Sequence, residues 1–338
     1  MRGKRLLLAE ASARVGMTRV LEALLRRDAL LVLNYHRIGN AEETPYDSGT
    51  FGPTAEEFDW ELGYLKSRFD CIGLEQALAM MTGKAPLRSS LLITFDDGYL
   101  DNYQTAFPIL RSHGLPATFF LPTSFIATQR LPWWDTIAYI VKHSRKDSFR
   151  IQYPKAAEFT VDRQKPSNTV FQVLCFCSQN ATTDYSPLIE ELEAVCDCAR
   201  PNGASERCFL NWDEAREMQG AGMSFGSHTH SHEVLSGLSL ERQVEELSQS
   251  RAILERELGR PIDVLAYPVG RPYTFNDDTR GALERCGYRA AFSFYGGANL
   301  KSSVNRLDIR REDCYSPSTA LFRLQTTLAA VGKRLGAA

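Results

Sequence analysis

The sequence predicts an α/β fold whose strands wrap toward a barrel, on three observations. Strand-like apolar runs alternate with helical stretches along the chain from about residue 29 to residue 310, joined mostly by short links. The run Leu91-Leu92-Ile93-Thr94-Phe95 is apolar or β-branched throughout, as a strand covered on both faces of a parallel sheet must be. Chemically active residues, Asp96-Asp97 and the histidines from His228, follow such runs directly, where α/β folds collect their ligands.

Taken in order, residues 1–29 read as a basic amphipathic helix, which either packs on the domain or rests on an anionic membrane surface. Ala29 to His36 is the first strand, with Tyr35 and His36 at its carboxyl end, and Arg37 to Phe51 is a polar surface loop. Thr54-x-x-Glu57 is a capping box opening a helix with Phe58, Leu62 and Leu65 on one face. A short helix from Glu75 to Met81 precedes the acidic-tipped strand, and an amphipathic stretch from Asn102 to His113 follows it. Ala117 to Pro122 is a third strand, closed by proline.

Residues from about 123 to 210 are the least regular part. No low-complexity linker brackets them, so they read as an insertion and not as a separate domain. Regularity resumes with a helix start at Asn211-Trp212-Asp213-Glu214 and a short strand from Gly222 to His228. A long amphipathic helix from Ser239 to Leu258, a strand and turn at Val264 to Gly270 and a helix from Asp277 to Cys286 come next. Strands at Ala290 to Phe294 and Leu307 to Arg310 complete a domain of residues 30–315, and 316–338 read as a C-terminal helix.

Composition excludes several classes. With 338 residues, 43% apolar, 24% charged and a net charge of −2, the chain has the makeup of a globular enzyme and no basic excess for nucleic acid. Eight cysteines are scattered, and the pairs Cys175-x-Cys177 and Cys196-x-Cys198 are closer than zinc knuckles usually space their ligands. With no export signal and no run of about 18 apolar residues, the reading is a cytoplasmic protein with reduced thiols, with the inner membrane face as its alternative location.

Two features point to chemistry. Adjacent carboxylates at Asp96 and Asp97 repel unless a cation or shared proton offsets the charge, although an isolated pair often caps a helix instead. His228, His230 and His232 lie within five residues just past a strand, and imidazole is a common metal ligand. Two histidines and one carboxylate with positions left open make a usual catalytic metal set, so a metal ion is expected.

Thr94-Phe95-Asp96-Asp97-Gly98, His228-Thr229-x-x-His232 and Tyr267-Pro268-x-Gly270 resemble the motifs of the polysaccharide deacetylase superfamily, of the NodB-homology type. Tyr35-His36-Arg37, Trp133-Trp134-Asp135 and Trp212 are similar to a bacterial exopolysaccharide-associated branch. The resemblance runs from about residue 30 to 315. It implies a distorted (β/α) barrel with fewer than eight regular strands, and removal of N-acetyl groups from an amino-sugar polymer or lipid-linked precursor. Deformylation of a lipid-linked amino sugar is the alternative within enzymes, and an inactive carbohydrate-binding protein the alternative outside them.

Carried onto this chain, the resemblance makes Asp97, His228 and His232 the ligands of a divalent metal, usually zinc, and Asp96 the general base. It places the oxyanion donor at the backbone N–H of Tyr267, with Pro268 and Gly270 in the same turn. The late histidine that many relatives use as general acid is absent, because no histidine follows His232. Of His36, His113, His143 and His230, His36 stands on the rim that carries the metal residues and is assigned the acid. Arg310 is taken as the arginine that pairs with the base, with Arg311 equally near and Arg306 less favoured. Trp133, Trp134 and Tyr273 are either an aromatic sugar platform or core.

Overall fold

The computed structural model describes residues 2–14, 16–24, 28–180, 184–201, 207–300, 304–313, 316 and 318–333. Its strands are Ala29–Tyr35 (β1), Asp70–Cys71 (β2), Ser90–Asp96 (β3), Thr118–Leu121 (β4), Ser148–Ile151 (β5), Ala157–Thr160 (β6), Ser224–Ser227 (β7), Val264–Ala266 (β8), Ala290–Ser293 (β9), Asn299–Leu300 (β10), Ile309–Arg310 (β11) and Glu312–Asp313 (β12). Its α-helices are Arg2–Arg14 (α1), Met17–Leu24 (α2), Ala55–Arg68 (α3), Leu74–Met81 (α4), Phe107–His113 (α5), Thr123–Thr128 (α6), Trp133–Lys142 (α7), Pro166–Gln179 (α8), Ser186–Cys196 (α9), Trp212–Gly220 (α10), Leu240–Leu258 (α11), Asp277–Arg285 (α12) and Thr319–Ala329 (α13).

The main sheet runs β10-β1-β3-β4-β7-β8-β9-β11, and every neighbouring pair along it is parallel except β10 with β1. One residue after β11, β12 pairs in parallel with β1 at Leu33↔Glu312 and Asn34↔Asp313, so the last strand returns to the first. Counting the interrupted β11/β12 as one, seven parallel staves (β1, β3, β4, β7, β8, β9 and β11/β12) close a distorted barrel. β10 and the two-residue β2 are additions at β1 and β3.

Side chains alternate across each stave, so every second residue shares one face. One set gathers Leu30, Val32, Leu92, Phe120, Val264, Ala266, Ala290, Phe292 and Ile309 into a single buried cluster with the apolar residues of α4. Gly226 belongs to this layer, and a Cβ there would meet the Phe120 ring at 2.6 Å. The opposite face of the staves is aromatic: Tyr35 stacks on Phe95, Phe95 on Phe119, and Phe58 of α3 meets Tyr35 edge-on at 5.1 Å.

The sequence signals for helices act as local chemistry dictates. Thr54 accepts from the Glu57 N–H while Glu57 accepts from the Thr54 N–H, and Asn211 with Glu214 repeats the device at α10. The expected helix from Asn102 to His113 opens instead as a π-helical turn over Asn102–Ala106, before α5, whose second residue is Pro108.

Two compact units divide the chain: residues 1–39, 52–127 and 209–338, and residues 40–51 with 128–208. The second corresponds to the insertion read at about 123–210, and it carries its own apolar cluster from α7, α8, α9 and the β5–β6 hairpin. The loop 40–51 belongs to it because Lys142 donates to the Thr44 carbonyl and Ser48 hydroxyl, while the Asp47 N–H donates to buried Asp135.

The expected single helix over residues 1–29 is two helices, α1 and α2, packed with α13 through Leu6, Ala9, Leu21, Leu321 and Leu324. Arg323 of α13 makes two hydrogen bonds, at 3.0 and 2.9 Å, to the Glu22 carboxylate. Arg26, Arg27, Cys314 and residues 334–338 of the expected C-terminal helix lie outside the described residues. Among the described residues no helix is long and apolar enough to cross a membrane.

Glu61 of α3 is buried against Tyr35, whose hydroxyl donates to it at 2.8 Å. Burial pushes its carboxyl up to about 8, against the smaller opposing effect of that hydrogen bond. Between the ordinary glutamate value and about 8 the folded chain keeps a proton that the unfolded chain has released, so this group's contribution to stability is lost as pH rises through that window. Unfolding free energies of wild type and Glu61→Gln, from urea titrations between pH 5 and pH 8, are expected to diverge steadily in favour of the variant, by a few kcal/mol at most in order of magnitude. Parallel profiles would show that Glu61 ionises normally.

Candidate metal centre

The alternation that fills the barrel with apolar side chains also sets what tops it. Continuing the inward set by one step beyond Val32, Thr94, Gly226 and Ile309 gives Asn34, Asp96, His228 and Arg311, all buried. Four polar residues from four staves therefore meet at the carboxyl rim.

His228 directs its Nδ1 at the Ala266 carbonyl, 2.7 Å away. A carbonyl only accepts, so Nδ1 carries the hydrogen and Nε2 keeps its lone pair. Burial lowers its pKa to about 4 despite the nearby Asp96 carboxylate, leaving the ring neutral at physiological pH. Burial likewise lowers that of His232 well below the usual histidine range, with His228 acting in the same sense.

The turn that brings His232 beside His228 is strained and tightly held. Thr229 and His232 adopt φ of 64° and 62°, a region costly for branched or bulky residues. Thr229 Oγ1 accepts from the His232 N–H, and Ser227 Oγ accepts from the Thr229 N–H. Buried Glu246 of α11 accepts the N–H groups of His230 and Ser231 and the Ser231 hydroxyl, and Arg242 fixes its carboxylate at 2.7 Å.

Asp97, at φ 71°, completes the group. Its Oδ1 lies 3.6 Å from His228 Nε2 and 3.4 Å from His232 Nε2, and one donor atom from each of the three residues falls within 4.8 Å of the others. Tetrahedral coordination at zinc–nitrogen distances of about 2.0–2.1 Å separates ligand atoms by roughly 3.3 Å, so this set fits a divalent ion with little adjustment. No other such group occurs among the described residues, and the close cysteine pairs form none.

Asp96 has different company. Arg311 Nη1 and Nη2 donate to its two oxygens at 2.7 and 2.8 Å, and Asn34 Nδ2 donates to Oδ2 at 3.0 Å. Asn34 Oδ1 accepts from Arg311 Nη1 at 2.7 Å and from Thr94 Oγ1 at 2.8 Å, locking the amide's orientation. Arg311 is fully buried and also donates from Nε to the Ser293 carbonyl. Burial would raise the Asp96 pKa, but the Arg311 charge, its hydrogen bonds and the neighbouring histidines hold it well below the usual carboxylate range. His228 Nε2 and His36 Nε2 lie 3.9 and 4.0 Å from Asp96 Oδ2. The His36 ring is 28% exposed, and Asn102 holds its carbonyl at 2.7 Å.

Two expectations need correcting. Arg311, not Arg310, pairs with Asp96: Ile309 faces the barrel, so Arg311 does too, while Arg310 turns to the Tyr295 hydroxyl at 3.2 Å. The Tyr267 N–H is not available as a donor, because β8 continues its ladder there and gives that N–H to the Phe292 carbonyl at 2.9 Å. The Tyr267 ring is buried, and its hydroxyl donates to the Leu307 carbonyl.

Pro268 and Gly270 form a γ-turn around Val269, with the Gly270 N–H on the Pro268 carbonyl at 2.7 Å. A Cβ on Gly270 would stand 2.6 Å from the Phe294 nitrogen, so only glycine fits. Val269 itself has φ 63° and is partly exposed, and nothing described accepts from its N–H.

Trp133 and Trp134 belong to the second unit, where Trp133 stacks on Tyr185 at 3.9 Å and Trp134 is buried. Tyr273 is largely exposed in the loop after the γ-turn. His113 pairs with Asp59, His143 with the Tyr139 carbonyl and His230 with Thr123. Sequence reasoning gave no part to Asn34, which bonds both Asp96 and Arg311, and quoted Thr94 only within its motif. A lone amide in the otherwise apolar β1 was the available signal for Asn34.

A sequence model of the polysaccharide deacetylase family matches residues 83–153 and 155–291. The chain is 24% identical over 273 residues to YxkH of Bacillus subtilis, a curated protein named for that family, and covers 80% of itself and 66% of that protein. It therefore spans just under two thirds of that relative's length. Among solved structures it is similar to the Streptococcus pyogenes deacetylase PplD in complex with acetate, with TM-score 0.58, 18% identity and coverage of 88% and 98% of the two chains. It is also similar to IcaB from Ammonifex degensii, with TM-score 0.53, 20% identity and coverage of 90% and 98%. These two likenesses concern the fold.

Metal analysis of the purified chain is expected to find one divalent ion per molecule. His228→Ala and His232→Ala each weaken its binding by more than the 10–100-fold typical of losing an outer-shell partner. Asp96→Asn keeps the ion; a metal-free Asp96→Asn protein would make Asp96 a ligand.

Proposed function

Because the chain belongs to the polysaccharide deacetylase family, we propose that it is a metal-dependent hydrolase removing N-acetyl groups from amino-sugar residues of a polysaccharide or lipid-linked glycan precursor. The observation that carries this reading is the juxtaposition of a buried, arginine-held carboxylate with a two-histidine, one-carboxylate donor set on one barrel rim. A divalent ion held by Asp97, His228 and His232 supplies Lewis acidity toward a carbonyl and makes water acidic near neutral pH.

The remaining work falls to this chain's own groups. Asp96 is kept ionised and oriented by Arg311 and Asn34, so it is always ready to take a proton as water attacks the N-acetyl carbonyl. We assign the proton for the leaving amine to His36, whose Nε2 lies 4.0 Å from Asp96 Oδ2. The developing oxyanion needs a donor, and the Val269 N–H is the one the γ-turn leaves uncommitted beside the strand that anchors His228. Tyr273, exposed beyond that turn, offers an aromatic face for a sugar ring. The Tyr35-His36-Arg37 motif supports the exopolysaccharide-associated branch as the source of substrate.

Incubation of the metal-loaded protein with N-acetylglucosamine oligomers is expected to release acetate. Formate released from N-formylated analogues alone would favour a deformylase, and binding of oligomers without any release would favour the carbohydrate-binding alternative. His36→Ala is expected to lower kcat on the order of 10²–10⁴-fold with its metal content unchanged. Near-normal turnover would move the acid elsewhere. Asn34→Leu keeps a similar volume but can neither donate to Asp96 nor accept from Arg311 and Thr94, so kcat should fall at least tenfold, in order of magnitude, while KM and metal content hold. Unchanged kcat in that variant would show that Asn34 only fills space.

A further inference from the structure

A second cluster of donors, unrelated to the metal centre, lies where α1 turns into α2. A cavity of about 320 Å³ is lined by Ala13, Arg14, Gly16, Thr18 and Arg323. Thr18 is 1% exposed, yet its hydroxyl has no hydrogen-bond partner. A buried hydroxyl left unpaired costs free energy unless a ligand satisfies it. Gly16, at φ 72°, ends α1 and sets the first turn of the eight-residue α2 against the cavity, and a helix N-terminus favours anions.

Arg14 has no partner among the described side chains. Arg323 gives Nε and Nη2 to Glu22 and lies over the Tyr64 ring, beside the cavity it lines. Glu22, the carboxylate that Arg323 engages, is not among the described residues lining the cavity, whose polar side chains are two arginines and a hydroxyl.

The surroundings identify the source of the anion. Leu7 lies two turns before Arg14 on the same face of α1, and Met17 and Val20 stand on successive turns of α2. They are 68%, 49% and 54% exposed, so three of the nine large apolar side chains exposed among the described residues sit on these two short helices. Apolar side chains facing water beside arginines are the pattern of an element lying in a bilayer interface. We infer that the α1–α2 turn is a docking site for an anionic phospholipid, with the phosphodiester held by Arg14, Arg323 and Thr18 and with Leu7, Met17 and Val20 entering the acyl boundary. This inference is independent of the hydrolase reading and is tested without activity.

The test is co-sedimentation of the full chain with vesicles of phosphatidylcholine alone and with vesicles containing three parts in ten of phosphatidylglycerol. Binding to the anionic vesicles only, reversed by 0.5 M salt, is expected, with Arg14→Gln weakening it about fivefold, the worth of one basic residue near a membrane surface. Thr18→Val, an isosteric change whose Tm checks that the fold is kept, should also weaken it severalfold. Leu7→Ser with Val20→Ser should reduce retention on the same vesicles. Equal binding to both vesicle types, or binding that none of these changes alters, overturns the proposal. A rise in Tm with inorganic phosphate that is lost in Thr18→Val, without any vesicle binding, also overturns it and assigns the cavity a soluble phosphate.

Discussion

The contact between Arg311 and Asp96 underlies both the fold and the site. A fully buried guanidinium is tolerable only when its charge and donors are matched, and removing one member of such a pair typically costs 3–5 kcal/mol. Here the match is complete on the arginine's working edge: two bonds reach Asp96, one reaches Asn34 and one reaches the Ser293 carbonyl. The Phe120 and Phe294 rings lie within 5.4 and 5.7 Å of the guanidinium carbon. Because Arg311 is the single residue between β11 and β12, this contact also stands at the seam where the barrel returns to β1.

The same arrangement separates the roles of two adjacent carboxylates. Asp96 extends the inward alternation of β3 and meets Arg311 and Asn34, whereas Asp97 leaves the strand with φ 71° and meets the two histidines. Neighbours in sequence thus acquire different surroundings because the backbone changes region between them. The strained histidine turn persists for a comparable reason: Glu246, Ser227 and Thr229 hold its backbone from several directions.

Much of this was legible in the sequence, for identifiable reasons. The strand ending at Asp96 and the capping boxes at Thr54 and Asn211 are local signals, and the structure forms each of them. Asp97, His228 and His232 were legible as candidates because Asp97 and His228 follow strands directly and His232 comes four residues after His228. What escaped depends on partners distant in sequence. β10 and β12 are two residues long and exist only because β1 offers them a ladder. Tyr267 lost its expected role to a hydrogen bond with Phe292 that no local pattern announces. Arg310 and Arg311 differ by one position, and in a strand that difference reverses the face. The apolar Ile309 two residues earlier carried the parity that would have separated them.

The seam at Arg311 has a consequence for how the molecule becomes competent. During synthesis Asp96 emerges more than two hundred residues before the arginine that offsets its burial, and β1 and β3 can pair long before β11 and β12 exist. In a nascent chain the carboxylate therefore stays solvated or protonated, and the rim stays open until the last staves dock. Completion of the barrel and pairing of the carboxylate are one event, so a partly translated chain carries Asp97, His228 and His232 without the arginine that holds Asp96.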